Sequence, residues 1–256
     1  MKFSASKRAT NRTPKRILDR KENEEAITPF SINELKAAVK KIKRKGAPGG
    51  DDIPPSFIKE LGDKALNELL EIFNDSFIHA DISQVWRHAI IIPLLKSGKP
   101  ASEIASFGPI SLTSCVVKLL ERMMAERLYN LAENNNWLSN HQAGFRKGRS
   151  CEDQLIKLIQ GVSDGFQQKP PLRTVMALLD YSKAYDRTWR ELLLTKMANL
   201  GAPIHLVRWI AAFLRTRTAQ VVINGTLSSR VQMQQGLPQG SVLSPLLFLI
   251  FINDIS

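Results

Sequence analysis

The chain has 256 residues, 43% of them hydrophobic, enough to bury a core as one large domain or two smaller ones. Lys and Arg number 36 against 24 Asp and Glu, and the resulting charge of +12 points to a polyanionic partner. Nucleic acid stands ahead of a membrane face, because the cations recur along the whole chain and form no single amphipathic helix.

Two cysteines, Cys115 and Cys151, build no disulfide framework, and four scattered histidines have no zinc-ligand spacing. The longest apolar run, residues 246–252, is too short to span a bilayer, and the start lacks a signal peptide's apolar segment. These features read as an intracellular protein of a reducing compartment, with no membrane partner.

Residues 1–29 are polar and carry Lys7-Arg8, Lys15-Arg16 and Arg20-Lys21. They read as a disordered basic tail, a solvated one or a nuclear address. Order begins at Phe30, where Ser31 and Glu34 have capping-box spacing and Leu35, Ala38, Val39 and Ile42 share one apolar face. A loop rich in Gly and Pro follows over residues 46–55. Asp63 starts a second helix with Leu66, Leu69, Leu70, Phe73 and Phe77 inward. The run 86–95 changes period to that of a strand, and Pro93 predicts an edge position for it. Lys96 sits in the turn behind, exposed or within reach of a phosphate.

The next helix, over 116–131, buries Val116, Leu119, Leu120, Met123, Met124 and Leu128 and turns Lys118, Glu121, Arg122, Glu126 and Arg127 to water. In the loop 142–150, Arg146, Lys147 and Arg149 flank Phe145 between glycines, a pattern that suits a strand of nucleic acid. Helical spacing returns over 153–166.

The run Val175-Met176-Ala177-Leu178-Leu179 is apolar without a break and reads as a strand buried on both faces or a buried helix segment. Asp180 ends it. A carboxylate at the mouth of a buried strand calls for a cation, and a divalent metal offers the most charge. The plainer alternative is a strand ending in a polar loop, with Asp186 helping to start the next helix. That helix has Thr188 and Glu191 at capping-box spacing, buries Trp189, Leu192, Leu193, Met197 and Leu200, and closes at Gly201 and Pro203. After a helix over 204–214, Asn224-Gly225 predicts a type I′ hairpin turn. The returning strand, 230–233, runs into Gln235-Gly236-Leu237-Pro238-Gln239-Gly240-Ser241, a turn that opens an apolar helix.

Six blocks together resemble, in order, those of the reverse transcriptases of non-LTR retrotransposons, with wording nearest to trypanosomatid ingi-type elements. They are the loop from Gly46 to Ile53, Ile-Ile-Ile-Pro-Leu-Leu-Lys ending at Lys96, Pro-Ile-Ser-Leu from Pro109, the 144–150 loop, the Asp180 segment and Gln-Gly-Leu-Pro-Gln-Gly-Ser. The resemblance implies an α+β right-hand polymerase, mostly helical with a small antiparallel sheet. Fingers would run over 30–170 and a partial palm over 171–256. It implies RNA-templated DNA synthesis, in which a DNA primer 3′-hydroxyl attacks a deoxynucleoside triphosphate (dNTP) with two Mg²⁺ ions neutralising charge.

By this resemblance Asp180 is catalytic and binds metal together with the Tyr181 carbonyl. The amides of Lys183 and Ala184 hold the triphosphate, and Tyr185 lies under the sugar and excludes a 2′-hydroxyl. Gln239 and Gly240 meet the nucleotide, with Lys96 reaching it from the fingers, while Arg146, Lys147, Arg149 and Gly236 meet the template or primer. Two departures stand out. Gly108 replaces the arginine that precedes Pro-Ile-Ser-Leu in the family, and no aromatic-x-Asp-Asp hairpin follows the final helix. The expectation is therefore a truncated copy whose Asp180 alone holds the metals weakly. The alternatives are a non-catalytic RNA- or DNA-binding relic of such a polymerase and a protein-binding fragment.

Overall fold

Two capping boxes mark helix starts in the computed structural model, which describes residues 27–255. Ser31 and Glu34 exchange side-chain and backbone bonds ahead of α1 (Ile32–Lys40), as their spacing predicts. Ser150 and Asp153 do the same ahead of α5 (Cys151–Gln167). Between them come α2 (Pro55–Lys59), α3 (Asp63–His79), β1 (His88–Leu95), β2 (Phe107–Thr113) and α4 (Cys115–Asn134). Beyond α5 lie α6 (Arg190–Asn199), α7 (Ile204–Leu214), β3 (Thr218–Ile223), β4 (Thr226–Leu227), β5 (Val231–Gln232) and α8 (Ser244–Ile252). The basic tail expected over 1–29 falls almost wholly outside the described residues.

The helices meet through their apolar faces. Phe73 and Phe77 of α3, Val117, Leu120 and Met124 of α4 and Trp209 and Phe213 of α7 are all buried in one core. Arg127 of α4 fastens the start of the described chain to that core. It bonds both Glu34 carboxylate oxygens at 2.7 and 2.9 Å, donates to the carbonyls of Thr28 and Pro29, and lies 4.1 Å over the Phe30 ring. None of the described helices is long and apolar enough to cross a membrane.

The fold is α+β, but its sheet is mixed where an antiparallel one was expected. Strand order is β2-β1-β3-β4, with β5 also on β3; β1 runs antiparallel to β2 and parallel to β3. Pro93 therefore sits in a central strand, against its predicted edge position. The register explains how: β3 pairs only with His88 to Ile91, so Pro93 lies past its end and faces Pro109 of β2 alone. The missing N–H has no second neighbour to serve. The Asn224-Gly225 turn forms as its sequence requires, both residues having positive φ, 49° and 78°.

Three further expectations fail. Residues 171–180 form no strand or helix, and all are exposed: Val175 is 92% and Leu178 and Leu179 are each 83% exposed. An apolar run becomes a buried strand only when a partner satisfies its backbone groups, and among the described residues none pairs with this one. The Thr188–Glu191 capping box does not form. Helix α6 begins at Arg190 without a side-chain cap, since Glu191 accepts from the Trp189 indole and Thr188 donates to the Ala184 carbonyl. Glu121, placed at the water-facing side of α4, is fully buried.

Candidate active site

After Asp180 the chain enters a turn over 182–187 that takes Lys183 to a φ of +54°. The Arg187 amide donates to the Lys183 carbonyl at 3.0 Å, and Thr188 Oγ1 donates to the Ala184 carbonyl at 3.1 Å. Among the described residues the amides of Lys183 and Ala184 have no acceptor. Open amides beside a left-handed residue are the elements from which anion-binding concavities are built.

This turn is docked on the one that carries Gln239. The Leu237 amide donates to the Tyr185 carbonyl at 2.8 Å and the Gly236 amide to the Thr188 carbonyl at 3.0 Å. Gly236 makes the approach feasible, because at its φ of +80° a Cβ would lie 2.6 Å from the Asp186 carbonyl oxygen. Its close neighbour is thus the chain's own backbone, where sequence reading expected nucleic acid. Gly240, with a φ of +83°, likewise sits where a Cβ would meet the Ser111 carbonyl of β2 at 2.7 Å. Arg190 ties the approach segment by donating to the carbonyls of Met233, Gln235 and Gly236, and burial pulls its pKa down.

The docking brings Tyr185, Gln239, Gly240, Ser241, Val242 and Pro245 around one cavity of about 390 Å³. Asp180, Tyr181 and Ala184 line another, of about 600 Å³, with Phe248 and Phe251 of α8. Tyr185 links the two regions, its ring centre 5.3 Å from that of Phe248. Burial pushes its phenol pKa up, so it stays neutral at physiological pH.

Asp180 is exposed at the rim of the larger cavity. Asp254 lines the same cavity but is ion-paired with Lys196 at 2.5 Å. Magnesium takes hard oxygen ligands in octahedral geometry, commonly one or two carboxylates completed by phosphates and water. The Asp180 carboxylate and Tyr181 carbonyl are donors of that kind, yet no group of three or more metal-binding side chains occurs among the described residues. They fit part of a magnesium shell.

The remaining predicted contacts lie elsewhere. Lys96 is exposed beyond β1 and donates to the Ala105 carbonyl at 3.3 Å; its Cε is 3.8 Å from where a Cβ on Gly108 would stand. Its side chain therefore lies beside the position at which the expected arginine is missing. Lys147 and Arg149 line a separate cavity of about 540 Å³ with Glu133, Asp153 and Lys157. Lys147 pairs with Glu126 at 2.6 Å, and Arg149 donates to the Asn140 carbonyl.

Arg146 is turned inward, which corrects its expected template contact. Its guanidinium grips both oxygens of Glu133 and the carbonyls of Ser139 and Gln142, all of its polar nitrogens being engaged. It braces a loop that presents Phe145, 69% exposed at a φ of +55°. A bulky residue in that backbone region is strained, and such strain persists where surrounding bonds over-determine it.

Sequence reading missed Glu121 and gave Asp186 only a helix-starting role. Gln239 Nε2 donates to Asp186 Oδ1 at 2.9 Å, while Glu121 accepts from the residues just after Gly240. A signal for Glu121 was present: Val117, Glu121, Met124 and Leu128 fall at spacings of four, three and four, so one carboxylate interrupts an apolar stripe.

The family model for reverse transcriptase (RNA-dependent DNA polymerase) matches residues 96–256, and the chain belongs to that family. It is 33% identical over 230 residues to a probable RNA-directed DNA polymerase from transposon BS of Drosophila melanogaster, which is 90% of this chain and 25% of the relative. It is 32% identical over 230 residues, with the same two shares, to the RNA-directed DNA polymerase from mobile element jockey of Drosophila melanogaster. A more distant relative is the retrovirus-related Pol polyprotein from type-1 retrotransposable element R2 of Popillia japonica, 22% identical over 89% of this chain and 30% of its own length. The chain spans about a quarter of the length of the first two.

Proposed function

We propose that this chain carries the fingers and part of the palm of a non-LTR retrotransposon polymerase, and that it serves RNA-templated DNA synthesis. The narrower ingi-type placement rests on the wording of the blocks. The observation that carries the functional reading is the docking of the 181–188 turn on the Gly236–Gly240 turn, which sets Tyr185 beside Gln239 and Asp180 on the neighbouring cavity.

In this reading the Lys183 and Ala184 amides receive the triphosphate of a dNTP. The Tyr185 ring bears on its sugar and leaves no room for a 2′-hydroxyl. Gln239 orients the nucleotide, and Phe145 with Lys147 and Arg149 offers a stacking face and cations to the template strand. Asp180 and the Tyr181 carbonyl would hold magnesium, which would supply neutralisation of the charge that builds at the phosphorus.

Primer extension on an RNA template, with a DNA primer, dNTPs and magnesium, tests this. The expected result is templated incorporation that disappears with Asp180→Asn and admits ribonucleotides with Tyr185→Ala. Salt-sensitive retention of the template with no incorporation by the unaltered chain would overturn catalysis and leave a nucleic-acid-binding protein.

A further inference from the structure

The most deeply buried carboxylate of the described chain has no part in the chemistry proposed above. Glu121, at 0% exposure, projects from the middle of α4, and its Oε2 accepts from Ser241 Oγ at 2.5 Å and from the amides of Val242 and Leu243 at 2.6 and 3.3 Å. Those three residues follow Gln239-Gly240 directly and precede α8, whose first turn leaves amides without carbonyl partners. An acceptor oxygen placed there satisfies those donors. Burial pushes the Glu121 carboxyl pKa up, and the Ser241 hydrogen bond and the charge of the buried Arg217, 1% exposed, oppose that rise. From the other side Asp186 accepts from Gln239 Nε2, and the Tyr185 carbonyl accepts from Leu237.

We propose that Glu121 and Asp186 are positioning residues that hold the Gln239–Gly240 turn from opposite sides and, through it, set how tightly a dNTP binds. The second half of this statement rests on the function proposed above. Neither side chain lines the cavity shared by Tyr185 and Gln239, so both act through the turn. Glu121 fixes the turn's backbone against α4, while β2 limits its travel, since a Cβ at Gly240 would already meet Ser111. Asp186 fixes the side chain, engaging one amide hydrogen of Gln239. The Gln239 carbonyl accepts nothing among the described residues and is free for a ligand.

A leucine at 121 would continue the stripe of Val117, Met124 and Leu128, but it leaves the buried Arg217 and the donors of Ser241, Val242 and Leu243 without that carboxyl, and removing one partner of such a set is destabilising. Whether faster exchange in Glu121→Leu stays within 236–243 or spreads through α4 and α7 therefore separates positioning from folding. Glu121→Gln is its rescue, because it keeps an acceptor oxygen. Asp186→Ala and Asp186→Asn form the matching pair.

The test uses the full 256-residue chain and two readouts. Hydrogen–deuterium exchange by mass spectrometry is expected to show faster exchange at 236–243 in Glu121→Leu, with Asp63–His79 unchanged and with protection restored in Glu121→Gln. Calorimetric titration with dATP and magnesium is expected to show affinity about tenfold weaker in Glu121→Leu and in Asp186→Ala. It should be near normal in the two conservative variants, with no further loss when either change is added to Gln239→Ala.

Exchange that rises throughout α4 and α7, or losses that add to Gln239→Ala, would overturn the proposal. If Glu121→Leu does not fold, Ser241→Ala removes one donor from the loop side and carries the same comparison. If the unaltered chain binds no dATP, the polymerase reading falls, and the exchange experiment still decides whether the clamp exists.

Discussion

Two stretches of similar length behave in opposite ways. Residues 236–243 are packed from three directions, by the 185–188 backbone, by β2 and by Glu121 of α4. Residues 171–180 are more apolar, yet every one of them is exposed and none belongs to a strand or helix. Hydrophobicity alone did not decide which stretch became packed. The turn found acceptors and donors for its backbone inside the described chain, whereas the apolar stretch has only the bond from the Leu172 amide to the Gly165 carbonyl, at 2.9 Å. The half of the site proposed to meet a nucleotide is thereby held in place, whereas Asp180 sits at the end of a stretch that is exposed throughout.

Five substitutions sharpen or break this contrast, taken from the largest expected effect. Gly236→Ala adds a Cβ 2.6 Å from a backbone oxygen at a positive φ, and should destabilise the chain by about 2–4 kcal/mol in urea denaturation. Arg146→Ala strips the brace from the 142–150 loop and leaves Glu133 without its bidentate partner, at about 2–3 kcal/mol. It also predicts a pH signature. The bond from Arg146 holds the Glu133 carboxyl below the usual carboxylate range, so its stabilisation is full above the unfolded pKa and is lost as pH falls toward the folded one. Denaturation of the unaltered chain and Arg146→Ala should therefore converge in acid.

Gly108→Arg restores a guanidinium beside Lys96, where a Cβ meets nothing closer than 3.8 Å. It should tighten dNTP binding by about 1.5–3 kcal/mol, roughly tenfold or more by titration calorimetry. Leu178→Ser and Leu179→Ser should change urea stability by less than about 0.5 kcal/mol, because both side chains already face solvent. A large loss there would show that the apolar run is buried in solution and would erase the contrast.

What the sequence displayed was whatever depends on near neighbours. The Ser31–Glu34 box, the helical spacing of Leu66, Phe73 and Phe77 and the Asn224-Gly225 turn all arise within a few residues, and all are present. Two of the failures involve distant partners. Pro93 was misplaced because its relief comes from where β3 stops, 130 residues away in the paired register. Glu121 was misplaced because its acceptor role is fixed by Ser241 and Val242, 120 and 121 residues on. The Thr188–Glu191 box lost instead to local competitors, the Ala184 carbonyl four residues back for Thr188 and the Trp189 indole for Glu191. In the site, the motif residues Tyr185, Gln239 and Gly240 do converge. Arg146 carried the right charge for a template contact but uses it internally, a choice that composition cannot reveal.

The facing pair Pro93 and Pro109 carries one more implication. Strand β2 is the outermost of the sheet, and an outer strand ordinarily offers unpaired N–H groups as a template to other molecules. Pro109 deletes such a donor midway along that rim, and Gly108 beside it adds no apolar side chain for an incoming ribbon to grip. Self-association through this border should be poor even at high protein concentration.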